Sequence, residues 1–160
     1  MPFEFEDVRT IIIVGEVRGG EAMDMICSAM NCGHDGSMST VHANSATDTI
    51  SRLETMILMA VELPVHAIRR QISSGVDIII HLGRLRDKTR RVLQITELLN
   101  NSDKDIEINT LYEFREDEKT SKDNVSGKLK RIGRLKNVEK LYNAGIAYTF
   151  EEDGDSEIPA

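Results

Sequence analysis

The run Ile11 to Val14 is continuously apolar and β-branched, which predicts a strand buried on both faces, as in a parallel sheet covered by helices. Gly19 and Gly20 then release the chain into a helix. Met23, Ile26, Cys27 and Met30 recur there at i, i+3, i+4 and i+7, one apolar stripe, before the two glycines of NCGHDG end it. SMSTVHA, residues 37 to 43, reads as a second short strand. Ser45 follows as an N-cap with Asp48 three residues on, and Ile50, Leu53, Met56, Ile57 and Ala60 form the buried face of a helix to about residue 61. Pro64 opens another helix at its first turn and Gly75 closes it.

Beyond Gly75 the period changes. VDIIIHL and RVLQITEL predict two strands joined by the basic turn around Asp87 and Lys88, an antiparallel hairpin. IEINTLYEF, residues 106 to 114, alternates and adds a further strand, while REDEKTSKDNVSG reads as a polar loop or linker. KNVEKLYNAGI predicts a short helix stopped at Gly145, and the acidic end after Phe150 is expected to be disordered. Strands alternating with helices through residue 80 indicate an α/β domain with a partly parallel sheet, followed by an antiparallel extension.

The 160 residues suffice for one domain, or a domain with a short appendage. With 4% aromatics and no Trp, the core has to be built from Ile, Leu, Val and Met. No apolar run approaches the ~20 residues that span a bilayer, so a cytoplasmic location is expected. Cys27 and Cys32, five apart, form no secreted disulfide framework, and buried reduced thiols are the simplest reading. The net charge of −7 argues against a dedicated nucleic-acid binder, but it hides segregated sign. RLRDKTRR, residues 84 to 91, holds five bases against one acid, KLKRIGRLKNVEK holds six against one, and Glu151 to Glu157 has five acids and no base.

Candidate chemistry begins at Glu16. Ligands of open α/β sheets collect outside the carboxyl ends of the strands, and an acid there points into the crevice. A run of aliphatics ending in an acid is the second half of a phosphate-transfer site, where the carboxylate holds Mg²⁺ through water or orients the attacking water; otherwise it caps the next helix. GHDGSMSTVHANS adds two histidines eight apart, His34 in a Gly-bounded turn and His42 at a strand end, near Glu16 if the two strands are neighbours. A histidine in that place can hydrogen-bond a phosphate oxygen. His66 and His81 read as ordinary surface or packed imidazoles.

IIIVGEVRGGEAMDM, GHDGSMSTVHANS, SRLETMILMA and LPVHAIRRQISSGVDIIIHLGRLRDKTRRVLQITEL together resemble the secretion ATPases of type II and type IV secretion and pilus assembly, with the closest likeness to the CpaF-like branch of Tad (Flp) pilus assembly. The resemblance covers residues 11 to 99, and IGRLKNVEKLYNAGI looks like that branch's C-terminal end. It implies the C-terminal portion of a RecA-like P-loop NTPase domain, with an antiparallel β extension and a short C-terminal helix. Residues 1–10 are unmatched, 100–150 are a C-terminal extension and 151–160 an acidic tail. VGEVRGG resembles the Walker B element, so that Gly15 and Glu16 would meet nucleotide and Mg²⁺. GHDGSMSTVHANS resembles the His box, with His42 near the γ-phosphate and His34 coupling nucleotide state to movement. Arg18 and Arg52 stand where such rings place arginines near the subunit boundary. ATP and Mg²⁺, a homo-hexamer, and work against inner-membrane platform proteins at the cytoplasmic face of the membrane are what the resemblance implies for partners.

One departure is large. No G-x-x-x-x-G-K-[ST] occurs in the sequence, and FEFEDVRT matches the family poorly. The nearest approach, SGKLK at 126 to 130, reads as a polar loop that follows no strand and has Leu129 after the lysine. The expectation is therefore a truncated ATPase half, inactive alone, with the strand at Ile11 exposing an unpaired apolar edge. Two other classes compete. Cys27, Cys32, His34 and His42 are residue types zinc favours, but their spacing spans a helix, a turn and a strand. A non-catalytic adaptor or degenerate remnant could dock on secretion-machinery partners through the basic segments.

Overall fold

The computed structural model describes residues 11–30, 34, 36–101, 105–143 and 145–146. Expectations for residues 1–10, Cys32 and the acidic end lie outside these. The chain divides into two compact units, residues 1–43 with 48–76 and residues 44–47 with 77–160.

In the first unit, β1 (Ile13–Val14) pairs in parallel with β2 (Met38–Ser39), Ile13 opposite Met38 and Val14 opposite Ser39. Both strands are shorter than the sequence predicts, and β1 is not buried on both faces: Ile13 is 70% exposed and Ile11 54%. With a single partner strand among the described residues, β1 lacks there the second neighbour that its composition suits. Helix α1 (Glu21–Asp24) passes into a π-helical turn, Met25–Met30. That wider turn carries one residue more per repeat, and the buried positions become Ala22, Met25 and Ile26 rather than the expected 3.6-period stripe; Met23 and Cys27 are half-buried. The Cys27 thiol lies 3.6 Å from Met23 Sδ and 3.7 Å from Gln71 Oε1.

Helix α2 (Ala46–Ala60) starts directly after Ser45 and buries Ile50, Leu53, Met56 and Ile57 as its spacing requires. Ala60 is exposed, against expectation, yet its Cβ sits where a Cβ on Gly20 would come within 2.8 Å, so this glycine permits close approach of the α1 turn. Helix α3 (Val65–Gly75) is preceded by Pro64 as its N-cap, with ψ 136°, instead of within its first turn, and buries Ile68 and Ile72.

The second unit is built on an antiparallel sheet in the order β3-β4-β5-β6. Its strands are β3 (Ile78–Arg84), β4 (Arg90–Asn101), β5 (Asp105–Glu116) and β6 (Gly127–Arg131). VDIIIHL thus belongs to the antiparallel sheet. The hairpin turn places Lys88 at φ 69°, closed by Leu85 N–H to Thr89 C=O at 2.9 Å. SGKLK, expected in a loop, runs into β6, because Leu129 is buried against Phe114 in register while Lys128 and Lys130 stay exposed. An extended strand offers no nest of N–H groups to phosphate. Two β-bulges, at His81/Leu82 and Ile95/Thr96, reset the register.

Glu97 of β4 is 1% exposed, the only buried charged residue among the described residues. Its carboxylate accepts from Asn109 Nδ2 at 2.8 Å, from the Lys136 N–H at 3.0 and 3.2 Å, and from the Asn137 N–H at 2.6 Å. It thereby ties the connection after β6 onto the sheet. Helix α4 (Glu139–Asn143) follows and stops at Gly145, whose φ of 72° lets Ile146 N–H reach Leu141 C=O and Gly145 N–H reach Tyr142 C=O.

Candidate functional site

Glu16 sits two residues past the end of β1, and Thr40, just after β2, clamps the chain on both sides of it. The Thr40 hydroxyl donates to Gly15 C=O at 2.6 Å, and Thr40 C=O accepts from Val17 N–H at 3.0 Å. Parallel pairing of β1 with β2 thus brings the segment after each strand to the same end. His42, two residues beyond Thr40, places Nε2 3.1 Å from Glu16 Oε1, and Arg18 Nη2 lies 2.6 Å from Glu16 Oε2. Each carboxylate oxygen is engaged once.

Both partners are solvent-facing, with Arg18 75% and His42 81% exposed against 24% for Glu16. The Arg18 guanidinium, first as hydrogen-bond donor, holds the Glu16 carboxyl below its ordinary range. Partial loss of water works against that, and the charges of Arg18, His42 and Arg52 add to it. The same contact raises Arg18 above the usual guanidinium value. Glu16 is therefore an ionised carboxylate held by exposed side chains that water can replace.

The loop carrying Arg18 is itself fixed. Glu21 Oε1 accepts from the N–H of Arg18 at 2.8 Å and of Gly19 at 3.1 Å, which holds the Glu21 carboxyl low, with the Arg18 N–H the largest cause. This is an acid in the first turn of a helix, folded back on the donors ahead of it. Neither Glu21 nor Thr40 is singled out by sequence reasoning. The signal for Glu21 was present, an acid directly after two glycines, whereas Thr40 reads only as another β-branched strand residue.

Of the residues marked in the sequence, Glu16 contacts both Arg18 and His42, and Arg52 acts on Glu16 through its charge. Gly15 supplies a carbonyl, and among the described residues, its two chain neighbours aside, no heavy atom stands within 4 Å of the place its Cβ would take. His34 stands at the turn before β2, where its C=O accepts from Ser37 Oγ at 2.7 Å and from Ser37 N–H at 3.2 Å. His66 is exposed and His81 half-buried. Among the described residues no three His, Cys, Asp or Glu side chains converge as a metal-holding group, and no helix is long and apolar enough to cross a membrane.

The family model for type II/IV secretion system proteins matches residues 9–144. The chain belongs to the type II/IV secretion system protein family. Among family relatives, a probable conjugal transfer protein TrbB of Sinorhizobium fredii is 38% identical over 108 residues, covering 66% of this chain and 32% of its own. A putative conjugal transfer protein of Mycobacterium tuberculosis is 37% identical over 87 residues, 54% of this chain and 24% of that protein. The type IV secretion system protein VirB11 of Brucella suis is 41% identical over 76 residues, 46% and 21% respectively. The crystal structure of the VirB11 ATPase from the Brucella suis type IV secretion system, in complex with sulphate, superposes with a TM-score of 0.51 at 35% identity, over 54% of this chain and 27% of that one. The chain spans about a fifth to a third of the length of these curated relatives. Its mixed helix and sheet therefore correspond to one part of a secretion-family ATPase.

Proposed function

We propose that residues 11–99 carry the Walker B and His-box part of an ATP-hydrolysing motor for pilus assembly or type II/IV secretion. The fold would be that of a RecA-like P-loop NTPase, and residues 100–150 its C-terminal extension. The observation that supports this most is the meeting of Glu16 and His42 at one end of two parallel strands, 3.1 Å apart. IGRLKNVEKLYNAGI, which forms the chain from the end of β6 through α4, supports a place in the CpaF-like branch.

Glu16 suits Mg²⁺ held through water, being a hard oxygen donor kept ionised beside an open approach over Gly15. When bound, Mg²⁺ neutralises charge on the phosphates. Arg18 and His42 each contact one carboxylate oxygen, and each oxygen keeps a second lone pair with which Glu16 can hold a water. Both partners are exposed, so water can replace either of them at little cost. His42, released from Glu16, is placed to hydrogen-bond a phosphate oxygen. His34 would couple nucleotide state to movement, and Arg18 and Arg52 would lie near the subunit boundary of a homo-hexamer working on inner-membrane platform proteins.

The 160 residues contain no G-x-x-x-x-G-K-[ST], so this polypeptide by itself should bind ATP weakly and hydrolyse it negligibly. Phosphate release with Mg²⁺ and ATP tests this directly. The polypeptide alone should show none, whereas a hybrid with a family P-loop segment joined ahead of Ile11 should turn over. In the hybrid, Glu16→Gln should lower the rate about 10²–10³-fold. A hybrid indifferent to Glu16→Gln would defeat the Walker B assignment, and turnover by the 160 residues that vanishes in the same variant would defeat the claim of inactivity.

A further inference from the structure

We propose that the tip of the β3–β4 hairpin, through Arg84, Lys88 and Arg90, is a docking patch for an acidic protein segment. The run RLRDKTRR carries five bases, but the structure sorts them into two groups. Arg86 is neutralised by a two-pronged pair with Glu116, at 2.6 and 2.5 Å. Arg91 lies 5.8 Å over the Phe114 ring and donates to Val125 C=O at 3.5 Å. Asp87, the one acid in the run, is turned to Thr89 and Val125. Arg84, Lys88 and Arg90 are all exposed, and no carboxylate pairs with them among the described residues.

The decisive feature is the register. Arg84 stands directly opposite Arg90 in the β3–β4 ladder, where facing Cβ atoms lie about 5 Å apart, so two like charges share one face, which destabilises a hairpin unless an anion lies between them. Arg84 Nε reaches back to Lys88 C=O at 3.4 Å, which brings the turn's ammonium-bearing residue into the same cluster. One step down the strand, Leu82 is 64% exposed and paired in register with Val92. The patch therefore offers guanidinium forks beside an aliphatic step, the complement of a segment in which acids alternate with aliphatics.

Whole-molecule charge favours a protein segment over a lipid surface. A net charge of −7 repels an extended anionic plane, whereas a short acidic segment contacts only the local patch within a Debye length of about 8 Å. The inference is independent of ATP hydrolysis, since it uses no residue of the Glu16 site.

The test uses the 160-residue protein with a fluorescent peptide of alternating glutamate and leucine, a lysine-leucine control, and phosphatidylserine vesicles. The acidic peptide should bind, weaken with added salt, and lose about tenfold in affinity in Arg84→Gln/Arg90→Gln. Lys122→Gln, an exposed lysine outside the patch, should bind as the parent does. The double variant should melt at or above the parent's temperature, because a like-charge pair is removed; if it does not fold, Lys88→Gln carries the comparison. Equal peptide affinity in parent and patch variants, binding to vesicles without binding to peptide, or binding to neither overturns the proposal.

Discussion

Asp87 shows how much one side chain in a turn can organise. Oδ1 accepts from the Thr89 hydroxyl at 2.7 Å and its N–H at 3.0 Å, and Oδ2 accepts from Val125 N–H at 2.9 Å. The turn between β3 and β4 is thus tied to the loop ahead of β6. The Thr89 hydroxyl, then the Val125 N–H, bring the carboxyl down to about 2; partial loss of water opposes them, and the Thr89 N–H and the Arg91 charge add to the lowering. A carboxyl lowered on folding stabilises above its unfolded value, near pH 4, and loses that contribution as pH falls through about 2. Asp87→Asn should therefore be less stable than the parent above about pH 5, and urea unfolding should show the gap closing between about pH 4 and pH 2. A gap unchanged over that interval would show that these hydrogen bonds do not favour the ionised form.

Among elements, β4 carries the most consequence, because Glu97 holds the connection to α4 from the middle of the sheet. Glu97→Gln would turn an amide NH₂ toward donors that need an acceptor, and should cost about 2–4 kcal/mol in urea unfolding. Element identity was largely legible in the sequence: α2, α3, the β3–β4 hairpin, β5 and the glycine stop of α4 follow from periodicity and turn residues. What failed has physical reasons. Ile11 to Val14 has the composition of a central strand but a single neighbour among the described residues, and composition cannot count neighbours. The π-helical turn changes the period within one apolar stripe, so a fixed spacing misplaces Met23. Leu129 buries one face of a strand otherwise written in lysines, which the eye takes for a loop. At the candidate site, the approach of His42 to Glu16 was readable because each follows a strand of one parallel pair, while Thr40 and Glu21 act through backbone groups that no motif records.

On the scale of the whole molecule, the two units differ in how their strands are supported. β4 and β5 pair along most of their twelve residues each, whereas β1 and β2 are two residues each and carry exposed Ile13 and Met38. Amide hydrogen exchange should reflect that: Thr96, Leu98 and Ile108 should open at a cost more than about 2 kcal/mol above that for Val14 and Met38. Equal protection in both sheets would show that the short parallel pair is held by more than its own ladder. The buried carboxylate of β4 also sets a rule for anyone cutting this chain. A piece ending at Arg131 keeps every strand and looks finished, yet it abandons Glu97 without the two main-chain donors of Lys136 and Asn137. The smallest piece of the second unit worth expressing therefore runs past Asn137, a boundary fixed by a single acid and invisible in the outline of the sheet.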